Sequence, residues 1–341
     1  MQTNLRSNFL RVSMLTIACT IFVGNLVDAT ARQLPEDQQL EKSDPSSLPP
    51  IEAQSLHGVA LRQLSLSTES KTKLEQALAE AKKQSEANPT DADSLIWVGR
   101  RLGYLSRFRD SIEVFSQGVE QFPEDPRFLR HRGHRWITVR EFAWAIEDLE
   151  RAARIIEGKP DQVEPDGQPN AAGIPTSTLH TNIWYHLGLA RFLTGDFAAA
   201  ETAFRKCLAA ADNNDMQVAT LDWLYMTLCR LDRKPEADKL IQHITTDLKI
   251  LENHSYHRRL LLYRGLLRPD ELLGESGVES TSSSTDRDVA LATNGFGVAH
   301  WYLVQGKKQE ARKLFEQVTA GKNWAAFGYI AAEIELQRSF K

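Results

Sequence analysis

From Ala92 onward, apolar and small residues recur with two spacings at once. Within stretches of about a dozen residues they lie three and four apart, which gathers them on one face of an α-helix. The whole arrangement then returns every 34 residues. With Ala92 as position 1, Leu95, Val98, Gly99 and Leu102 stand at positions 4, 7, 8 and 11. Phe108, Ser111, Phe115, Gly118 and Pro123 follow at 17, 20, 24, 27 and 32. A restart at Pro126, with nothing inserted, puts Leu129, Gly133, Trp136, Phe142, Ala145, Leu149 and Ala152 at 4, 8, 11, 17, 20, 24 and 27. Small residues at 8, 20 and 27 let two antiparallel helices approach closely, and larger ones at 4, 7, 11, 17 and 24 fill the seam. One such pair cannot bury its apolar face alone, so neighbouring pairs must stack.

Three further registers extend the pattern. From Thr181 it reads Trp184, Leu187, Gly188, Gly195, Phe197, Ala200 and Phe204, with Arg191 in place of the aromatic at position 11. From Val218, Leu221, Leu224, Leu228 and Ala237 fit, but Tyr225 occupies the small position 8. From Ala292, Ala299, Tyr302, Gly306, Ala311 and Phe315 fit at 8, 11, 15, 20 and 24. On these residues the chain resembles the tetratricopeptide-repeat family, whose signature is W-x2-L-G-x2-Y, then A-x3-F, then P. The resemblance covers 92–157, 181–251 and 292–325. It implies an all-α solenoid of antiparallel helix pairs, about five units plus capping helices.

The other segments arrange themselves around that array. Residues 1–31 carry Arg6 and Arg11, an apolar run from Val12 to Val27, and Ala29-Thr30-Ala31, the pattern of a signal peptide cut after Ala31. An uncleaved N-terminal anchor is the alternative, because Asp28 lies close to the cut. Either reading puts the body outside the cytoplasm, as a periplasmic, secreted or membrane-tethered protein. Residues 32–55 are polar and proline-rich and read as a disordered tether. Residues 56–91 hold an N-terminal capping helix starting near Thr68. Residues 158–180 are a Pro/Gly-rich insertion between units two and three, and 252–291 hold degenerate helices and the Ser/Thr-rich linker 280–285. Unit five and a closing helix occupy 292–341.

Composition changes this picture little. A net charge of −4 supplies no global field for nucleic acid, and no internal apolar run is long enough to span a bilayer. Three cysteines in 341 residues make no disulfide scaffold; Cys207 and Cys229 could bridge only if their Cα atoms came within disulfide reach. Nucleophile-elbow, phosphate-loop and dinucleotide motifs are absent, as is H-E-x-x-H. The spaced pairs His131/His134 and His254/His257 lack the further ligands zinc needs, and arginines crowd the first pair. No cofactor, metal or catalytic residue is implied.

Candidate chemistry therefore lies on the faces that point away from the helix seam. Positions 2, 5, 9 and 12 of each first helix face elsewhere than its partner, and in the family that face lines a concave groove for peptides. It carries Arg100 in unit one, Arg127, Arg130 and His134 in unit two, and Asn182, Tyr185 and Phe192 in unit three, with His186 beside them. The groove is predicted to run from basic to aromatic, fitting a protein or peptide with acidic and apolar residues. The family's clamp for C-terminal carboxylates does not carry over: its lysine, asparagine and arginine positions hold Ile96, Arg100, His131, Asn182 and His186. A second reading makes the 158–180 insertion a cover that turns the groove into a pocket for a small ligand or substrate.

Overall fold

A computed structural model describes residues 48–274 and 284–340. The expected export segment, the tether as far as residue 47 and the linker positions 280–283 lie outside these residues. Among the described residues no helix is long and apolar enough to cross a membrane.

The body is a stack of helix pairs. Helix α1 (Thr68–Ala87) precedes the pairs α2/α3 (Ala92–Tyr104, Phe108–Gln121), α4/α5 (Pro126–Thr138, Phe142–Ile155) and α6/α7 (Leu179–Thr194, Phe197–Ala210). The pair α8/α9 (Asn214–Arg230, Lys234–Leu240) follows, then the short helices α10 (His254–Tyr263) and α11 (Pro269–Leu273). The last pair is α12/α13 (Ser284–Val304, Lys308–Thr319), and α14 (Phe327–Ser339) closes the array. Ser284 thus begins a helix where a linker reaching 285 is expected.

The starts of the first helices are written locally. Asp91 accepts hydrogen bonds from the amides of Asp93 and Ser94, Asp125 caps α4 with Pro126 in its first turn, and Thr178 forms a reciprocal capping box with Thr181. The turn between the two helices of each unit is equally regular. Position 15 takes the left-handed conformation in all five units, at Ser106, Arg140, Gly195, Asp232 and Gly306. Glycine adopts it freely, whereas a residue with a Cβ is strained there by about 1–2 kcal/mol.

The seams use small residues as the spacing requires. A Cβ on Gly99 would lie 2.4 Å from the Phe115 ring, and one on Gly118 only 2.0 Å from the Phe128 ring. Unit four breaks the rule and shows the consequence. Tyr225 at position 8 stacks on Tyr263 of α10 at 4.5 Å, and its second helix α9 lasts only seven residues. The bulk that blocks close helix approach is absorbed by the extra helix.

Two features depart from a simple solenoid. Ile51–Gln54 forms a strand, β1, paired antiparallel with β2 (Ala60–Arg62), so the tether expected through residue 55 ends earlier. Four residues are too few for a periodic signal; distant contacts hold them. Glu52 accepts the Arg109 amide at 2.9 Å and Arg109 Nε donates to the Glu52 carbonyl at 2.8 Å. The second departure is that α14 reaches back across the stack. Arg140 bonds Glu333 at 2.9 Å and the Trp324 carbonyl at 2.8 Å, and Arg338 caps the carbonyl end of α6 through Leu193 at 2.7 Å. Trp324 Nε1 donates to the Arg62 carbonyl at 2.8 Å, tying this end to the hairpin.

Candidate functional site

The 158–180 insertion is an ordered strap lying over the first two units. Its ends are drawn together by a bridge between Val163 and Thr178, and by Asp161, which accepts from the Thr178 hydroxyl at 2.6 Å and the His180 amide at 3.0 Å. Its middle rests on α2: Arg101 donates to the Gly167 carbonyl at 3.2 Å. A Cβ on Gly167 would lie 2.0 Å from the Tyr104 hydroxyl oxygen, so only glycine allows that approach. Asn213 holds the far side through the Thr176 carbonyl at 2.9 Å. Chain entropy opposes placing a proline-rich segment so closely, and this set of side-chain to backbone bonds offsets it.

Beneath the strap is a recess of about 220 Å³. Arg100 and Tyr104 come from α2, Ser111 and Phe115 from α3, and Arg130, His131, His134 and Arg135 from α4. Glu164, Pro165, Asp166, Thr176 and Ser177 of the strap form the other side, with Glu252 from the approach to α10. Positive charge is therefore concentrated on the helical floor and negative charge on the roof.

Among the described residues, Glu164 is the one carboxylate that reaches the floor. It is buried, accepts from Asn182 Nδ2 at 3.0 Å and lies 3.1 Å from Arg130 Nε and 3.4 Å from His131 Nε2. The Arg130 Nε–H is not aimed at it and has no aligned acceptor, so the pair is an ion contact rather than a full hydrogen bond. Among the described residues, neither Arg100 nor Arg135 has a carboxylate within ion-pair distance. Arg100 lies 4.4 Å over the Trp97 ring and donates to the Tyr104 hydroxyl at 3.3 Å. Arg135 lies over Phe108, and burial together with Arg130 lowers its pKa to about 10.

The histidines here are uncharged. Burial and the neighbouring arginines push His131 and His134 well below the usual imidazole value, and bring His186 to about 3. Their hydrogen bonds set their tautomers. His186 Nδ1 must donate to the Asn182 carbonyl at 2.6 Å, whereas His131 Nδ1 accepts from Arg130 at 2.8 Å and turns its Nε2–H toward Glu164. Among the described residues no three histidine, cysteine or acidic side chains converge in a metal-binding group. Cys207 and Cys229 are both free thiols.

The predicted groove residues divide into three groups. Arg100, Arg130 and His134 line the recess, with Asn182 and His186 packed beside it. Arg127 lies outside, neutralised by Asp125 at 2.6 Å and by Asp93. Tyr185 and Phe192 are core residues. Tyr185 is 6% exposed and receives a hydrogen bond from Trp223 Nε1 at 2.8 Å, and Phe192 is fully buried against Trp223 and Phe197. The aromatic half of the groove does not exist as a surface, because α8, α10 and α12 fill it. Phe327 near the start of α14 lies 5.3 Å from His134 and 5.7 Å from His186, ring to ring.

Glu164 and Arg135 were not predicted. Arg135 stands at position 10, off the expected face, and reaches the recess across Gly103, where a Cβ would come within 3.1 Å of its guanidinium. The signal, a glycine at position 12 opposite an arginine, is legible only once the helices are stacked. No local signal marks Glu164.

Five antiparallel pairs with one repeated turn conformation define a helical-repeat solenoid. A family model for the tetratricopeptide repeat matches residues 181–214, the third unit. That unit is a tetratricopeptide repeat, and the other four pairs stack with it in the same register. No curated protein matches it. Solved structures similar to it include a tetratricopeptide repeat protein from Parabacteroides merdae, 15% identical over 77% of this chain and 93% of that one, with a TM-score of 0.45. PilW, a type IV pilus biogenesis factor, is 15% identical over 73% and 86%, with a TM-score of 0.41. YrrB, a protein of this class with an unusual peptide-binding site, is 12% identical over 70% and 91%, with a TM-score of 0.38.

Proposed function

We propose that the protein is an exported interaction adaptor that holds a partner through the strapped recess of its first two repeats. The observation that carries this reading is the pair Arg100 and Arg135, two partly buried guanidiniums lining a recess with no carboxylate of their own among the described residues. Burying unmatched cations costs free energy, and an anionic group brought by a partner recovers it. The basic half of the expected groove supports this reading, and the aromatic half drops out of it. Export is supported by residues 1–31, and N-terminal sequencing of the mature chain should begin at Arg32.

The adaptor reading is tested by partner capture from a native envelope preparation. Arg100→Glu with Arg135→Glu should remove a specific co-purifying protein while the melting curve keeps its shape. Unchanged capture would overturn it. The second reading, a small-ligand pocket, is favoured by the ordered strap and by Glu164 buried beneath it. Native mass spectrometry of the purified protein distinguishes the two, since only the second expects a bound small molecule.

A further inference from the structure

The recess is too small and too unevenly charged for the acidic segment that the groove arrangement first suggests. A cavity of about 220 Å³ holds a group of a few heavy atoms rather than a length of chain. Its electrostatics are sharper still. The floor presents Arg100, Arg130 and Arg135, of which only Arg130 is matched by a carboxylate, Glu164, within ion-pair distance among the described residues. Arg130 is 8% exposed and its Nε–H has no aligned acceptor. Opposite stand Asp166 and Glu252, both exposed and neither within ion-pair distance of a recess arginine. Asn170 holds Glu252 at 3.1 Å.

From this polarity we infer that the recess is a binding site for one oxyanionic group, a carboxylate or a phosphate, held by Arg100 and Arg135, and that Asp166 and Glu252 exclude polyanions. The inference rests on the proposed function only in taking the same recess as the point of contact. The two guanidiniums supply charge-assisted donors. The nearby histidines stay neutral and add no charge. A second anionic group on the ligand would meet the carboxylates of the roof, so affinity does not grow with ligand charge as it does at an open basic surface. Glu164 is the internal counter-charge: it matches one arginine and leaves the other two for the ligand.

The test is calorimetric titration of the purified protein at low salt with inorganic phosphate, acetate and tripolyphosphate. Phosphate or acetate should bind one per chain, and tripolyphosphate no more tightly than phosphate. Arg135→Gln and Arg100→Gln should each weaken binding about tenfold. Glu164→Gln should tighten it, an effect that mere structural damage does not produce. If Arg135→Gln does not fold, Arg100→Gln carries the same test, since its side chain makes one long hydrogen bond. A preference for phosphate points to a phosphorylated group and a preference for acetate to a carboxylate. Absence of saturable binding by phosphate and acetate, binding indifferent to both arginine variants, or tighter tripolyphosphate binding each overturns the inference. Partner capture that depends on Arg100 and Arg135 but is not competed by the anion leaves the adaptor standing and removes this site. Anion binding with no protein partner does the reverse.

Discussion

Two regions of this solenoid bury arginine among aromatic rings, and they differ in whether the charge is matched. Between α8 of the fourth unit and α10, Asp222 and Arg259 are nine-tenths or more buried, 2.8 Å apart, with Trp223, Tyr256 and Phe296 around the guanidinium. Gly297 leaves the room, since a Cβ there would lie 2.3 Å from Arg259 Nε. Charges balance one to one inside a sealed core. Under the strap, three arginines share a recess with one close carboxylate. A balanced, sealed pair is structural. An unbalanced set around a cavity is arranged for something that arrives from outside.

The largest effect expected from this contrast is in the sealed core. Arg259→Met should cost about 3–5 kcal/mol, because Asp222 is left buried and uncompensated, whereas Arg259→Met with Asp222→Leu should recover most of that loss. Denaturant melts of the two variants decide it, and a single variant as stable as the pair would erase the distinction between the regions.

Acid should weaken both regions in the same pH window. His186 beside the recess and His300 in the core are both buried, and burial holds each near 3, below the usual imidazole value. A depressed histidine binds its proton more readily in the unfolded chain, so stability is full above about 6.5 and is lost as pH falls toward 3. Each group accounts for up to about 2 kcal/mol by pH 5. Melting temperatures across pH 7.5 to 4.5 should fall less steeply in His186→Asn and in His300→Leu. Asp222 runs the other way: burial lifts it to about 7 despite Arg259, so its protonation contributes stability at low pH that fades as pH rises through 7.

A smaller, purely steric effect tests the repeat seam itself. Gly118→Ala should cost about 1–3 kcal/mol, because the Phe128 ring occupies the space its Cβ needs. The smallest effect sharpens the original comparison. Arg135→Gln should change stability by less than about 1 kcal/mol while weakening anion binding by the recess about tenfold, since it removes a charge that the folded protein leaves unmatched. A destabilisation as large as that of Arg259→Met would make the recess one more structural cluster.

The repeat register was legible because its signals are local: capping aspartates, glycines facing rings, and a turn at fixed spacing. Arg100, Arg130 and His134 were legible as well, since helical phase alone puts them opposite the seam. Phase could not show that Tyr185 and Phe192 are covered. Their cover comes from α8, α10 and α12, and nothing near residue 185 records that helices so far along the chain return to that face. Residues 32–55 misled in the same way: Glu52 and Ala53 are buried only because Arg109 and the C-terminal cap meet them.

By itself, then, the sequence determined how each helix begins, turns and pairs with its neighbour, because those choices are settled by residues within one 34-residue unit. The tertiary structure alone decided which faces stay open. It laid the strap over units one and two, brought Glu164 to Arg130 and left Arg100 and Arg135 unmatched, because charge balance and cover depend on distances between segments that share no local pattern.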